Sequence, residues 1–108
     1  MTVKELSEML CLEAFNMPDA DAAVKSAYCG DMLSRVMCRN LQGNAWITVM
    51  SGINTAAVAL AANVSCIILA ENVKPDADLS QAVKDREINL LLSDKSAFCI
   101  ASEIGKLL

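Results

Sequence analysis

The chain has 108 residues, 55% of them apolar, which suffices for a single domain spanning 1–108 and its core but not for a second one. Nine Lys and Arg against thirteen Asp and Glu give a net charge of −4, and only 4% of residues are aromatic. That balance excludes a basic, stacking nucleic-acid surface, and no segment pairs a basic with an apolar face as a membrane-surface helix would.

At the N-terminus, Thr2-Val3-Lys4-Glu5 matches a capping box, so a first helix is predicted from about Val3 to Leu10. Leu12 to Phe15 reads as a brief strand, Asn16-Met17-Pro18-Asp19 as a turn, and Val24 to Cys29 as a second strand. Asp31 is placed to cap a helix whose apolar stripe is Met32, Leu33, Val36 and Met37, closed by Gln42-Gly43-Asn44. Ala45 to Val49 is a strand, Met50 to Asn54 a turn, and a helix of small residues then leads into the strand Cys66 to Leu69. Beyond the loop Glu71 to Asp78, a helix starts near Leu79 with Ala82 and Val83 inward. Ile88 to Leu92 is a strand, and Ser96 to Leu107 forms a closing helix with Phe98, Ile100, Ala101, Ile104 and Leu108 as inner positions. Strands that are continuous apolar runs belong in a sheet covered on both faces. The expected fold is therefore α/β, a single three-layer α/β/α domain with a mainly parallel sheet.

The apolar stretch Thr55 to Ala70 is 16 residues long and broken by Asn63 and Ser65, too short for a span of about 20 residues. The N-terminus has no apolar h-region, so a cytoplasmic protein with no membrane partner is expected. Five cysteines and no histidine make a poor disulfide framework and a poor zinc site, so neither metal nor cofactor is expected. Cys66 reads as a core residue; Cys29 and Cys38 flank one predicted helix and offer a remote route to a metal or cluster.

In a parallel sheet, ligands meet the carboxyl ends of strands and the N-termini of the following helices. Here that position holds Thr48, Ser51, Gly52 and Asn54, with Asp31 and Ser34 at a second polar turn. The plain reading is that Ser51 or Asn54, and Asp31 with Ser34, only cap helices; the functional reading is a small anionic ligand such as a nucleotide. Trp46 reads as core or dimer interface, its indole N–H needing a partner if buried. No G-x-x-x-x-G-K-[ST] is present, and without histidine the usual general base near neutral pH is missing. No catalytic residue is assigned, and an enzyme is not expected.

Tyr28-Cys29-Gly30-Asp31-Met32-Leu33-Ser34-Arg35-Val36-Met37, Ala45-Trp46-Ile47-Thr48-Val49, Val58-Ala59-Leu60 with Cys66-Ile67-Ile68, and Ser96-Ala97-Phe98 together resemble the DRTGG domain family. The likeness is to its small stand-alone clostridial-type members, and it covers nearly the whole chain. The domain is similar to the N-terminal, non-catalytic domain of HPr kinase. Where the family carries Asp-Arg and Thr-Gly-Gly, this chain has Ile53-Asn54 and Ala70-Glu71-Asn72. The resemblance implies a regulatory or protein-interaction domain, not an enzyme, acting as a homodimer with a possible protein partner. Two alternatives stand beside it: a sensor of a nucleotide or other phosphate-containing ligand at the strand-to-helix turn, and a thiol-dependent accessory factor for metal-centre assembly.

Overall fold

The computed structural model describes all 108 residues, Met1–Leu108. Ten elements follow one another: α1 (Val3–Met9), β1 (Glu13–Asn16), β2 (Ser26–Cys29), α2 (Leu33–Met37), β3 (Asn44–Thr48), α3 (Asn54–Ala62), β4 (Cys66–Leu69), α4 (Ala77–Asp85), β5 (Leu90–Leu92) and α5 (Ala97–Leu107). The strands form one sheet in the order β1-β5-β4-β3-β2. β2 through β5 are parallel neighbours, and only β1 runs antiparallel, against β5. The three-layer α/β/α architecture is the one expected from the apolar strands.

Alternation along the strands divides the core in two. Trp46, Ile67, Leu69, Leu90 and Leu92 meet Val36 of α2, Ala56 and Ala59 of α3, and Leu79 and Val83 of α4 on one face. Ala45, Ile47, Cys66, Ile68 and Leu91 meet Leu6 of α1 and Ile100 and Ile104 of α5 on the other. Ile47, Ile67 and Ile68 are fully buried, each contributing roughly 1.5–3 kcal/mol of transfer free energy. The small side chains of α3 let it lie between α2 and α4 in one helix layer. All three crossover helices thus sit on the same face, so β2 to β5 wind in one direction without reversing. The crevice that a reversal of strand order opens in doubly wound sheets does not arise among them.

α1 begins with the expected capping box: Glu5 N–H donates to Thr2 Oγ1 at 3.1 Å and Thr2 N–H to Glu5 Oε1 at 3.0 Å. Other local expectations give way to tertiary contacts. α2 has five residues, its N-cap position is Met32, and no side chain caps it. Of its predicted stripe Val36 is buried and Leu33 packs half-buried against the same core, while Met32, which precedes the helix, and Met37 are exposed. Gly43 does adopt a left-handed φ of +80°, but in the turn before β3, well after α2 has ended. α4 starts two residues earlier than predicted, with Asp76 as its cap. Phe98 is 83% exposed and Leu108 also faces solvent, so neither is an inner position of α5. Trp46 is fully buried, and its indole N–H donates to Gly30 O at 2.9 Å.

Candidate functional site

The carboxyl edge of the sheet collects the loops after β2, β3, β4 and β5. Asp31, expected to cap α2, turns instead toward β3: its Oδ1 accepts from the Thr48 hydroxyl at 2.7 Å and from Val49 N–H at 3.0 Å. Thr48 Oγ1 in turn accepts from Met50 N–H at 3.3 Å, and the Thr55 hydroxyl donates to Met50 O at 2.8 Å. The loop between β3 and α3 is therefore pinned at both ends by side chains. Ser51 O accepts from Asp76 N–H at 3.0 Å, and Asp76 Oδ2 lies 3.7 Å from where a Cβ on Gly52 would stand.

Of the six residues proposed from sequence, the fold thus joins Asp31 to Thr48 directly and sets Ser51 and Gly52 beside Asp76. Asn54 and Ser34 are exposed on α3 and α2 and form no side-chain hydrogen bond within the chain. Ser51 and Asn54 do not cap α3, whose cap position is Ile53. Asp76 escaped the sequence reading, although Pro75-Asp76 before a helical pattern is a readable start signal.

The electrostatics of this edge are mixed and lean acidic. Asp31, Glu71, Asp76 and Asp94 lie on its loops against Lys74 and Lys95. Lys95 donates to Glu103 at 2.8 Å, and that bond holds its ammonium pKa above the ordinary value. An anion here would rest on main-chain N–H groups more than on cations. Partial burial, and secondarily the Asp31 carboxylate, raise the Cys29 thiol, so it is protonated at neutral pH.

Glu71 and Asn72 both have a φ of +60°. These two positions follow Ala70 at the end of β4. The backbone there takes a left-handed turn that glycine would adopt freely, at a cost of roughly 1–2 kcal/mol for an ordinary side chain such as Glu71.

The largest cleft, of about 640 Å³, lies at the opposite, amino edge of the sheet. Asp19, Lys25, Asn40, Asn63, Glu87 and Asn89 help line it. None of the six sequence-proposed residues lines this cleft. No group of His, Cys, Asp and Glu comes together as a metal site, and no helix is long and apolar enough to cross a membrane.

No protein-family profile matches the sequence, and no curated protein does. A solved structure does match in fold: the CBS and DRTGG domains of the regulatory region of Clostridium perfringens pyrophosphatase, complexed with the activator diadenosine tetraphosphate. The superposition has a TM-score of 0.75 at 15% identity over 94% of this chain. This chain accounts for 44% of that one, so it spans less than half of the regulatory region it resembles.

Proposed function

We propose that this chain is a non-enzymatic regulatory or protein-interaction domain of the DRTGG kind, acting as a homodimer in the cytoplasm. The observation that carries the reading is the fold match to a regulatory region over 94% of the chain. The absence of histidine and of a phosphate-cradling loop in the sequence agrees with a role in binding rather than in bond making. A second reading, binding of a nucleotide or small anionic ligand at the Thr48–Asn54 turn, is favoured by the neighbour's complex with a dinucleotide activator. In it, Thr48 and Asp31 hold the loop in shape while Ser51, Gly52, Asn54 and Ser34 offer polar contacts.

Light scattering and a thermal-shift series on one preparation test both. A stable dimer is the expected result, and a monomer at all accessible concentrations overturns the homodimer. Diadenosine tetraphosphate, ATP and inorganic phosphate are the probes. Binding at a hundredfold excess over Kd stabilises the native state by about 2.7 kcal/mol, a rise on the order of 10 °C in Tm. A rise abolished by Ser51→Ala with Asn54→Ala places the ligand at the turn; no rise with any probe removes the second reading and leaves the first.

A further inference from the structure

We infer that two copies of this chain join edge to edge through β2, running antiparallel about a twofold axis at Tyr28. The inference rests on the homodimer proposed above and names its interface.

β2 is the end strand of the sheet and pairs only with β3. Ser26 N–H donates to Gly43 O at 3.3 Å and Gly30 N–H to Ile47 O at 3.2 Å, so from Ser26 onward the even-numbered residues turn their backbone groups toward β3; Lys25 N–H, just before the strand, shares Gly43 O at 2.7 Å. By the same alternation Ala27 and Cys29 turn theirs outward, to the side of β2 where the sheet has no further strand. Edge strands left this way are usually blunted by a lysine, a proline or a bulge; Ser26–Cys29 has none of these.

This edge is complementary to itself. With Tyr28 opposite its own copy, Ala27 stands opposite Cys29 of the second copy, and both exchange the backbone bonds that are open in the monomer. Tyr28 then forms a non-hydrogen-bonded pair with itself, the type of pair in which side chains come closest and aromatic contacts add stability. This register is the one that engages both outward-facing residues of the strand, because Lys25 N–H, the next odd-numbered position, is already taken by Gly43 O at 2.7 Å. Hydrogen bonding and side-chain size therefore select one register, and it is a closed, twofold one.

The flanks agree. α5 packs over β2 and β3. Glu103 and Leu107 line the cleft it shares with the end of α1, so the side of α5 carrying Phe98 faces away from α1, beyond the β2 edge. Phe98 is 83% exposed, the most exposed large apolar side chain in the molecule. A twofold axis perpendicular to the sheet brings the two α5 helices side by side and gives Phe98 an apolar neighbour.

Three variants test this with the 108-residue chain. Ala27→Pro removes an outward N–H that the β3 ladder does not use, and proline is tolerated on edge strands. Phe98→Glu changes a side chain that supports nothing in the monomer. Each is expected to weaken the dimer about tenfold or more in sedimentation equilibrium while leaving the circular dichroism spectrum unchanged. With Cys11, Cys38 and Cys99 changed to Ser, Ala27→Cys is expected to form a covalent dimer with Cys29 of the second copy under oxidised glutathione, since directly opposed residues lie within disulfide range. A dimer that survives Ala27→Pro and Phe98→Glu and gives no covalent product overturns the β2 interface alone. A wild-type monomer overturns both the interface and the homodimer.

Discussion

Asn89, at the head of β5, commits its whole side chain to two other segments. Its Oδ1 accepts from Asp19 N–H at 3.0 Å, and its Nδ2 donates to Asp19 O at 2.7 Å and Ser65 O at 3.0 Å. The residue is 4% exposed, so these bonds form in a setting where losing them leaves main-chain groups without partners. Asn16 does similar work from β1, its Nδ2 donating to Val83 O and Ile88 O at 2.9 Å. Asn89→Leu, similar in volume, is expected to destabilise by about 2–4 kcal/mol, read as a lower urea midpoint at unchanged slope. An unchanged midpoint would mean that the amide does not hold these segments together. No such role is readable from the sequence, where a lone Asn between apolar residues looks like an ordinary interruption of a strand.

At the scale of elements, α1 shows what local chemistry decides. The Thr2 backbone and hydroxyl bonds hold the Glu5 carboxyl below its ordinary value of 4.5. A depressed carboxyl contributes stability above its unfolded-state pKa and loses it as pH falls through the folded one. Glu5→Gln is therefore expected to flatten the acid limb of stability from about pH 4.5 downward, measured as Tm against pH, with no change in slope near neutrality. The capping box was legible because both partners lie within one turn. So were β3, α3 and β4, whose apolar runs and small-residue helix have one sensible packing. α2 was misread because Asp31 has two competing uses, and the choice is made by Thr48, seventeen residues away in sequence. Phe98 was misread because periodicity gives the centre of an apolar face but not how far the sheet extends beneath it. For the candidate site, sequence found the strand-end turn but not Asp76, whose approach to Ser51 depends on how α4 is laid beside α3.

The whole molecule sorts its cysteines by depth. Cys66 is fully buried on the face covered by α1 and α5, and burial pushes its thiol up to about 12. Cys11, Cys29, Cys38 and Cys99 are exposed. A thiol reagent at neutral pH is expected to react with these four in the native state, Cys29 slower than an unperturbed thiol, while Cys66 waits for global unfolding. Fast modification of Cys66 would show that the α1–α5 layer opens without the rest of the fold.

The antiparallel pairing of β1 with β5 also governs the order in which the chain can acquire its structure. β2, β3, β4 and β5 each meet a neighbour brought in by a short crossover, so that part of the sheet can grow strand by strand as the polypeptide leaves the ribosome. β1 is made first and has its only strand partner in Leu90–Leu92, near the far end of the chain. The first of the five strands to be synthesised is thus among the last to be paired, and closing that long loop is the entropically slow step. Until β1 docks, β5 presents an unpaired row of backbone N–H and C=O groups, a strand edge that other nascent copies can reach.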